Sequence, residues 1–173
     1  MCWDDLRSAT MTVFSPEKMK KIRQQVDDAC IAADAGAIDW FLNRLPPPTQ
    51  LRVVHAFLKD TLFLDIETTG FGKTDSVTTI STWRDGRIRC FVKGMNVNEC
   101  IRELAQARLL VTFNGEIFDL PFLRREFGIN LGKPHVDMRY VLRSCGYRGG
   151  LKACENKLGM KRRYSDGVYG GDA

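Results

Sequence analysis

The stretch FLDIETTGFG, residues 63–72, leads an apolar run into two acids and then breaks into Thr68-Thr69-Gly70. Strand residues two apart share a face. Asp65 and Glu67 are therefore neighbours on one side, with Leu64 and Ile66 on the other. Two carboxylates that close repel each other, and ionising both without a positive partner is unfavourable. A divalent cation resolves the conflict, and Mg²⁺ or Mn²⁺ favours carboxylate oxygen and water. The competing reading makes one acid a turn or helix cap at the strand end and leaves the other solvated.

The surroundings decide between the two readings. Residues 62–67 read as a short apolar strand. Residues 77–83 and 87–92 are β-rich, and Asp85-Gly86 between them signals a hairpin. Asn96 or Asn98 caps a helix running to about residue 107, and residues 109–113 form a second buried strand. A helix over 118–127 is stopped by Gly128. A short strand at 135–138 precedes a helix to about residue 144, and residues 150–158 form another helix, ended by Gly159. This order predicts an α/β domain with a mixed sheet. Should the strands 62–67 and 109–113 be adjacent and parallel, their carboxyl ends lie together, where sites of open α/β sheets collect. Asp119, in the first turn of the next helix, then joins Asp65 and Glu67. By itself Asp119 reads equally as an acid favoured by the helix dipole.

Upstream, Ser15-Pro16-Glu17 opens a helix to about residue 35. A short helix over 37–45 and another over 49–59 flank Pro46-Pro47-Pro48. Residues 1–60 thus read as a helical N-terminal extension without identifiable chemistry, and residues 61–173 as the main domain.

The chain has 173 residues, 44% hydrophobic and 27% charged, enough for one globular domain with a core. No apolar run approaches the roughly 18–20 residues of a membrane helix. The six cysteines form no CxxC pair, and only His55 and His135 could join them. This argues against zinc or a disulfide framework and for reduced thiols in a cytoplasmic protein. The net charge of +5 is uneven. Acids and bases balance over residues 1–60. Between residues 139 and 163, Arg139, Arg143, Arg148, Lys152, Lys157, Lys161, Arg162 and Arg163 face only Glu155. Such a segment beside clustered acids suits a polyanion held by metal ions; a solvated basic helix face is the plainer alternative.

DIETTG followed by VTFNGEIFDLPFL resembles the first two motifs of the DEDD-type 3′–5′ exonucleases of the ribonuclease H-like fold. The spelling is closest to the YprB-like predicted exonucleases and is also similar to the proofreading domains of family B DNA polymerases. HVDM at 135–138 and the later GGLKACENKLGMKRR are similar to the YprB-like branch. The resemblance spans residues 62–163. It implies a ribonuclease H-like mixed sheet flanked by helices and a two-metal phosphodiesterase acting on DNA or RNA. Asp65, Glu67 and Asp119 would be the catalytic metal ligands. Thr68, Thr69, Gly70, Asn114 and Phe118 would meet the substrate, and Lys152, Lys161, Arg162 and Arg163 would hold phosphates.

The pattern departs from the family at its end. These enzymes use a fourth acid near the C-terminus, and none in the required spacing follows Arg163. Tyr169 and Asp172 are too close together. His55 and Asp60 have the spacing but precede the first motif. Asp137 is weighed as a further metal ligand, a supporting residue behind the cluster or a helix cap, and His135 as structural. The chain thus reads as C-terminally truncated, with apolar surface that self-association or a partner protein would cover. The alternative to a working enzyme is a catalytically incomplete nucleic-acid-binding module.

Overall fold

The computed structural model describes residues 14–129 and 131–160. Ser15 caps helix α1 (Pro16–Asp34), its hydroxyl accepting from the Lys18 amide at 3.3 Å. Helices α2 (Ile38–Leu42) and α3 (Pro47–Ala56) follow. Helix α3 begins inside the proline run, two residues before the expected start, because proline lacks only an amide that the first turn leaves unpaired.

The sheet comprises β1 (Thr61–Thr68), β2 (Val77–Arg84), β3 (Arg87–Val92), β4 (Leu109–Thr112) and β5 (His135–Asp137). Its spatial order is β3-β2-β1-β4-β5. β1, β2 and β3 pair antiparallel, while β1, β4 and β5 are mutually parallel. The mixed sheet is the one the order of elements predicts. Asp85 and Gly86 take φ of 49° and 76°, the two positive values that the tight hairpin turn needs. Helix α4 (Val97–Gln106) links β3 to β4, α5 (Asp119–Phe127) links β4 to β5, and α6 (Met138–Ser144) and α7 (Leu151–Lys157) close the described chain. Asn96 precedes α4, but its carboxamide oxygen accepts from the Val92 amide rather than capping the helix.

Alternation along the strands builds a core on each face. Leu62, Leu64, Ile66, Ile80, Phe91 and Leu110 pack with Cys100 and Leu104 of α4 and Leu120 and Leu123 of α5. On the opposite face Leu109, Val111 and Val136 pack with Ile38, Val53, Val54 and Val141, with Phe63 against them. Helices from before residue 61 thus contribute to a core shared with the sheet. Asp65 and Glu67 continue the Phe63 row beyond the apolar contacts.

Leu110→Ala, at a fully buried position, is expected to lower stability by about 2–5 kcal/mol. Ile31→Ala on α1, 67% exposed, is expected to change it by less than about 0.5 kcal/mol. Urea unfolding of the two variants checks this reading of the core.

Candidate active site

β1 outruns its parallel neighbour. The β1–β4 register ends at Phe63 opposite Val111, while β1 continues to Thr68 beside β2. Past the end of β4, the Ile66 amide donates to Asp119 Oδ1 at 3.1 Å. Asp119 is the first residue of α5 and is only 2% exposed.

A tight loop aims Asp119 at that point. Asn114 has φ of 66°. A Cβ on Gly115 would lie 2.2 Å from Thr112 Oγ1, so only glycine fits. The Gly115 amide donates to that hydroxyl at 3.1 Å, and the Leu120 amide returns to the Gly115 carbonyl at 2.9 Å. His135 Nε2 shares the Thr112 hydroxyl at 2.9 Å. Burial pulls the imidazole pKa down, favouring the neutral ring.

Asp137 braces the same loop. Its Oδ1 accepts from the Asn114 amide at 2.7 Å and the Arg139 amide at 2.9 Å, and its Oδ2 accepts from the Glu116 amide at 3.2 Å. It therefore caps α6 and anchors residues 114–116, with both oxygens engaged by backbone.

The electrostatics centre on Asp119. Burial, and next the charge of Asp65, push its pKa up to about 7; Asp137 adds to this, and two backbone hydrogen bonds oppose it. Asp65 and Glu67 are exposed on the same face of β1. A bulge follows Glu67 at Thr68. Among the described residues, no three His, Cys, Asp or Glu side chains converge closely enough to hold a metal ion. The Asp65–Asp119 pair nevertheless supplies oxygen donors of the kind a hard divalent cation takes, one of them a carboxyl whose pKa is raised first by burial and then by the neighbouring acid.

A cleft of about 510 Å³ opens beside Asp65 and is lined by Asn114, Arg139, Arg143, Tyr147 and Arg148. Arg139 Nη1 donates to Asn114 Oδ1, fixing the carboxamide at the cleft wall. On the other side, the loop after β1 is knit by its own groups. Thr68 Oγ1 donates to the Gly70 carbonyl at 2.7 Å, and Thr69 Oγ1 donates to Asp75 Oδ1 at 2.9 Å. A Cβ on Gly70 would lie 2.7 Å from the Asp75 carboxylate. Phe71, 71% exposed, leans on Phe118 with ring centroids 5.7 Å apart, and Phe118 in turn meets Phe122 at 4.9 Å.

The structure thus couples Asp65 to Asp119, places Asn114 in the adjoining cleft and sets Phe118 under an exposed ring. Lys152 is exposed on α7 and does not line the cleft. Lys161, Arg162, Arg163, Tyr169 and Asp172 lie outside the described residues. Asp60 precedes β1 and pairs with Arg108 at 3.4 Å, at the end of the strand away from Asp65. The cleft arginines were missed as individual contacts. Their signal was present: Arg139 and Arg143 are four apart on one helix face, directly after a strand.

The family described as the RNase_H superfamily matches residues 62–173. Two solved structures of Brucella melitensis NrnC are similar, one of them bound to pGG. They show 19% and 18% identity and a TM-score of 0.47, covering 67% and 69% of this chain and 61% and 63% of theirs. A family B DNA polymerase from the hyperthermophilic archaeon Pyrobaculum calidifontis is similar at 17% identity and a TM-score of 0.39, over 51% of this chain and 18% of the polymerase. The chain therefore spans under a fifth of the polymerase and about three fifths of NrnC. No curated protein matches.

The Asp119 pKa has a measurable consequence. The folded state holds this proton up to about pH 7, whereas the unfolded chain releases it near the ordinary aspartate value of 3.8. The folded state thus binds more protons in that interval, and metal-free stability falls as pH rises through it. Asp119→Asn keeps an acceptor for the Ile66 amide and removes the charge. Urea unfolding at pH 8 with a chelator is expected to show the variant ~2–4 kcal/mol more stable than the parent. Mn²⁺ is expected to raise the melting temperature of the parent but not of the variant. A variant no more stable at pH 8 overturns the assignment.

Proposed function

The chain belongs to the RNase_H superfamily, and from that premise we propose that it is a metal-dependent nuclease that hydrolyses phosphodiester bonds from the 3′ end of DNA or RNA. The observation that carries the reading is the coupled Asp65–Asp119 acid pair at the carboxyl end of β1, opening on an arginine-lined cleft.

Asp65 and Asp119 would hold the cation, with Glu67 as the exposed acid of the same face. Mg²⁺ or Mn²⁺ suits this all-oxygen donor set. Two such ions, held by these acids, would supply an activated water and stabilise charge on the leaving oxygen. The remaining work falls to the chain's own residues. Arg139, Arg143 and Arg148 grip phosphates beside Asp65. Asn114, fixed by Arg139, orients the nucleotide. The exposed face of Phe71, backed by Phe118, offers a stacking surface for a base. Thr68, Thr69 and Gly70 form a stiff loop whose backbone lies near the terminal sugar. His135 and Asp137 act as positioning residues through the 112–116 loop.

A second reading has its own support. With no three acids converging among the described residues, the chain could bind nucleic acid without cutting it, alone or with a second copy or partner protein that completes the site.

A 5′-labelled single-stranded oligonucleotide with Mn²⁺ separates the two. The expected result is a ladder shortening from the 3′ end, with Asp65→Asn and Asp119→Asn each slower by at least ~100-fold. Arg143→Gln is expected to raise KM more than it lowers kcat and to flatten the salt dependence. Binding without cleavage, by a chain shown to be folded, would establish the binding-module reading instead.

A further inference from the structure

A second cationic cleft, of about 640 Å³, lies at the hairpin end of the sheet, away from Asp65. Arg84 and Arg87 face each other across the base of the β2–β3 turn, and Lys59 and Arg102 complete the wall from the segment before β1 and from α4. The acids on this wall are largely committed. Glu99 and Glu103 both pair with Arg89, at 2.7 and 3.6 Å, and Glu103 also accepts from Thr82. Among the described residues, Lys59, Arg84, Arg87 and Arg102 make no ion pair, and Asp85 of the turn is the only other acid lining the cleft.

Two further observations point to a ligand. Arg84 Nε donates to the Lys59 carbonyl at 3.2 Å, which fixes its guanidinium at the mouth while the outer nitrogens make no described bond. Its charge also reaches Lys133, whose pKa is lowered first by burial and then by Arg84. Next, the cleft shares Lys59 and Asp85 with a neighbouring hollow that contains Trp83 and His55. Trp83 is half-buried, with its ring edge-on to Phe63 at 5.2 Å. It lies opposite Phe63, and Ser81 lies opposite Asp65, so Trp83 and Asp65 occupy one sheet face about 7 Å apart along the strand, while Arg84 and Arg87 lie on the other face, toward α4, and the hollow and the cleft meet around the hairpin turn.

We infer that the cleft of Lys59, Arg84, Arg87 and Arg102, joined around the hairpin turn to the Trp83 hollow, is a second binding surface for the backbone of a single-stranded nucleic acid whose other end occupies the Asp65 site. The inference rests on the nucleic-acid reading above but not on catalysis. Unpaired guanidinium groups suit phosphate, and an indole beside them suits an unpaired base. A strand long enough to reach both sites would be held at both, whereas a dinucleotide would touch only the acid site.

The test is a triple variant, Lys59→Gln with Arg87→Gln and Arg102→Gln. All three side chains are exposed and have no described ion pair, so the melting temperature should stay close to that of the parent. Fluorescence anisotropy with a labelled single strand of about 16 nucleotides, in chelator to stop cleavage, reads affinity and its salt dependence. The expected result is a loss of about 10–100-fold, with the log–log salt slope shallower by about 2 for three lost phosphate contacts. In Mn²⁺, turnover of a dinucleotide should be unchanged. Unaltered affinity and slope would overturn the inference even if the protein cleaves. A parent that does not cleave, with a variant that still loses affinity, would uphold the groove and remove the nuclease reading. A parent that binds no single strand would overturn both.

Discussion

The hydrogen bond from the Ile66 amide to Asp119 organises the carboxyl end of the sheet. It exists because β4 ends at Thr112 while β1 runs on to Thr68. The projecting strand presents an amide that needs a partner. The chain supplies one from α5 rather than from a longer strand, and the substitution has consequences. A carboxylate is buried where another β-residue would have sat, beside Asp65, which already projects from the same strand. The acid pair is thus a consequence of a mismatch in strand length. The same bond ties α5 to β1 across more than fifty residues of sequence.

Around that bond, polar groups do the positioning. Asp137 spends both oxygens on three amides, two of them in the loop that delivers Asp119. Thr112 accepts from Gly115 and shares its hydroxyl with His135. Buried polar groups satisfied in this way rigidify a site, because each alternative loop conformation would strand at least one of them. Gly115 enforces the geometry from the steric side. The loop is therefore held to the ends of β4 and β5 by polar bonds.

Much of this was legible in the sequence, for identifiable reasons. Period-two alternation set Asp65 and Glu67 on one face, and Asp85-Gly86 fixed the hairpin that makes β2 antiparallel. The resemblance of DIETTG and NGEIFDLPFL brought Asp119 to Asp65, which local pattern could not do: a helix-terminal acid and a site acid are the same letters. Other features were hidden. Asp137 reads as helix cap or ligand until the amides of residues 114 and 116 are placed beside it, and that depends on the register of β4 with β5. Residues 1–60 carry no motif, yet Ile38, Val53 and Val54 enter the core, because apolar residues in short helices do not announce which surface they will cover. The cleft arginines were visible as charge but not as a lining, since a basic run does not tell which residues turn inward.

The charge distribution gives the acids their meaning. The sequence is basic, with a net charge of +5, yet the charges that raise the pKa of Asp119 are carboxylates. A chain selected only for stability would replace one of them: asparagine keeps the bond to Ile66 without the repulsion. A local rule broken without structural gain marks a place where function outweighs stability. The arginines sharpen the point. They line the cleft next to Asp65, and in the case of Arg139 bind Asn114, so positive charge was available nearby. Acids are held together at the floor, and cations line the cleft beside them. On the proposed function, a small cation below and a phosphate chain above would complete this arrangement.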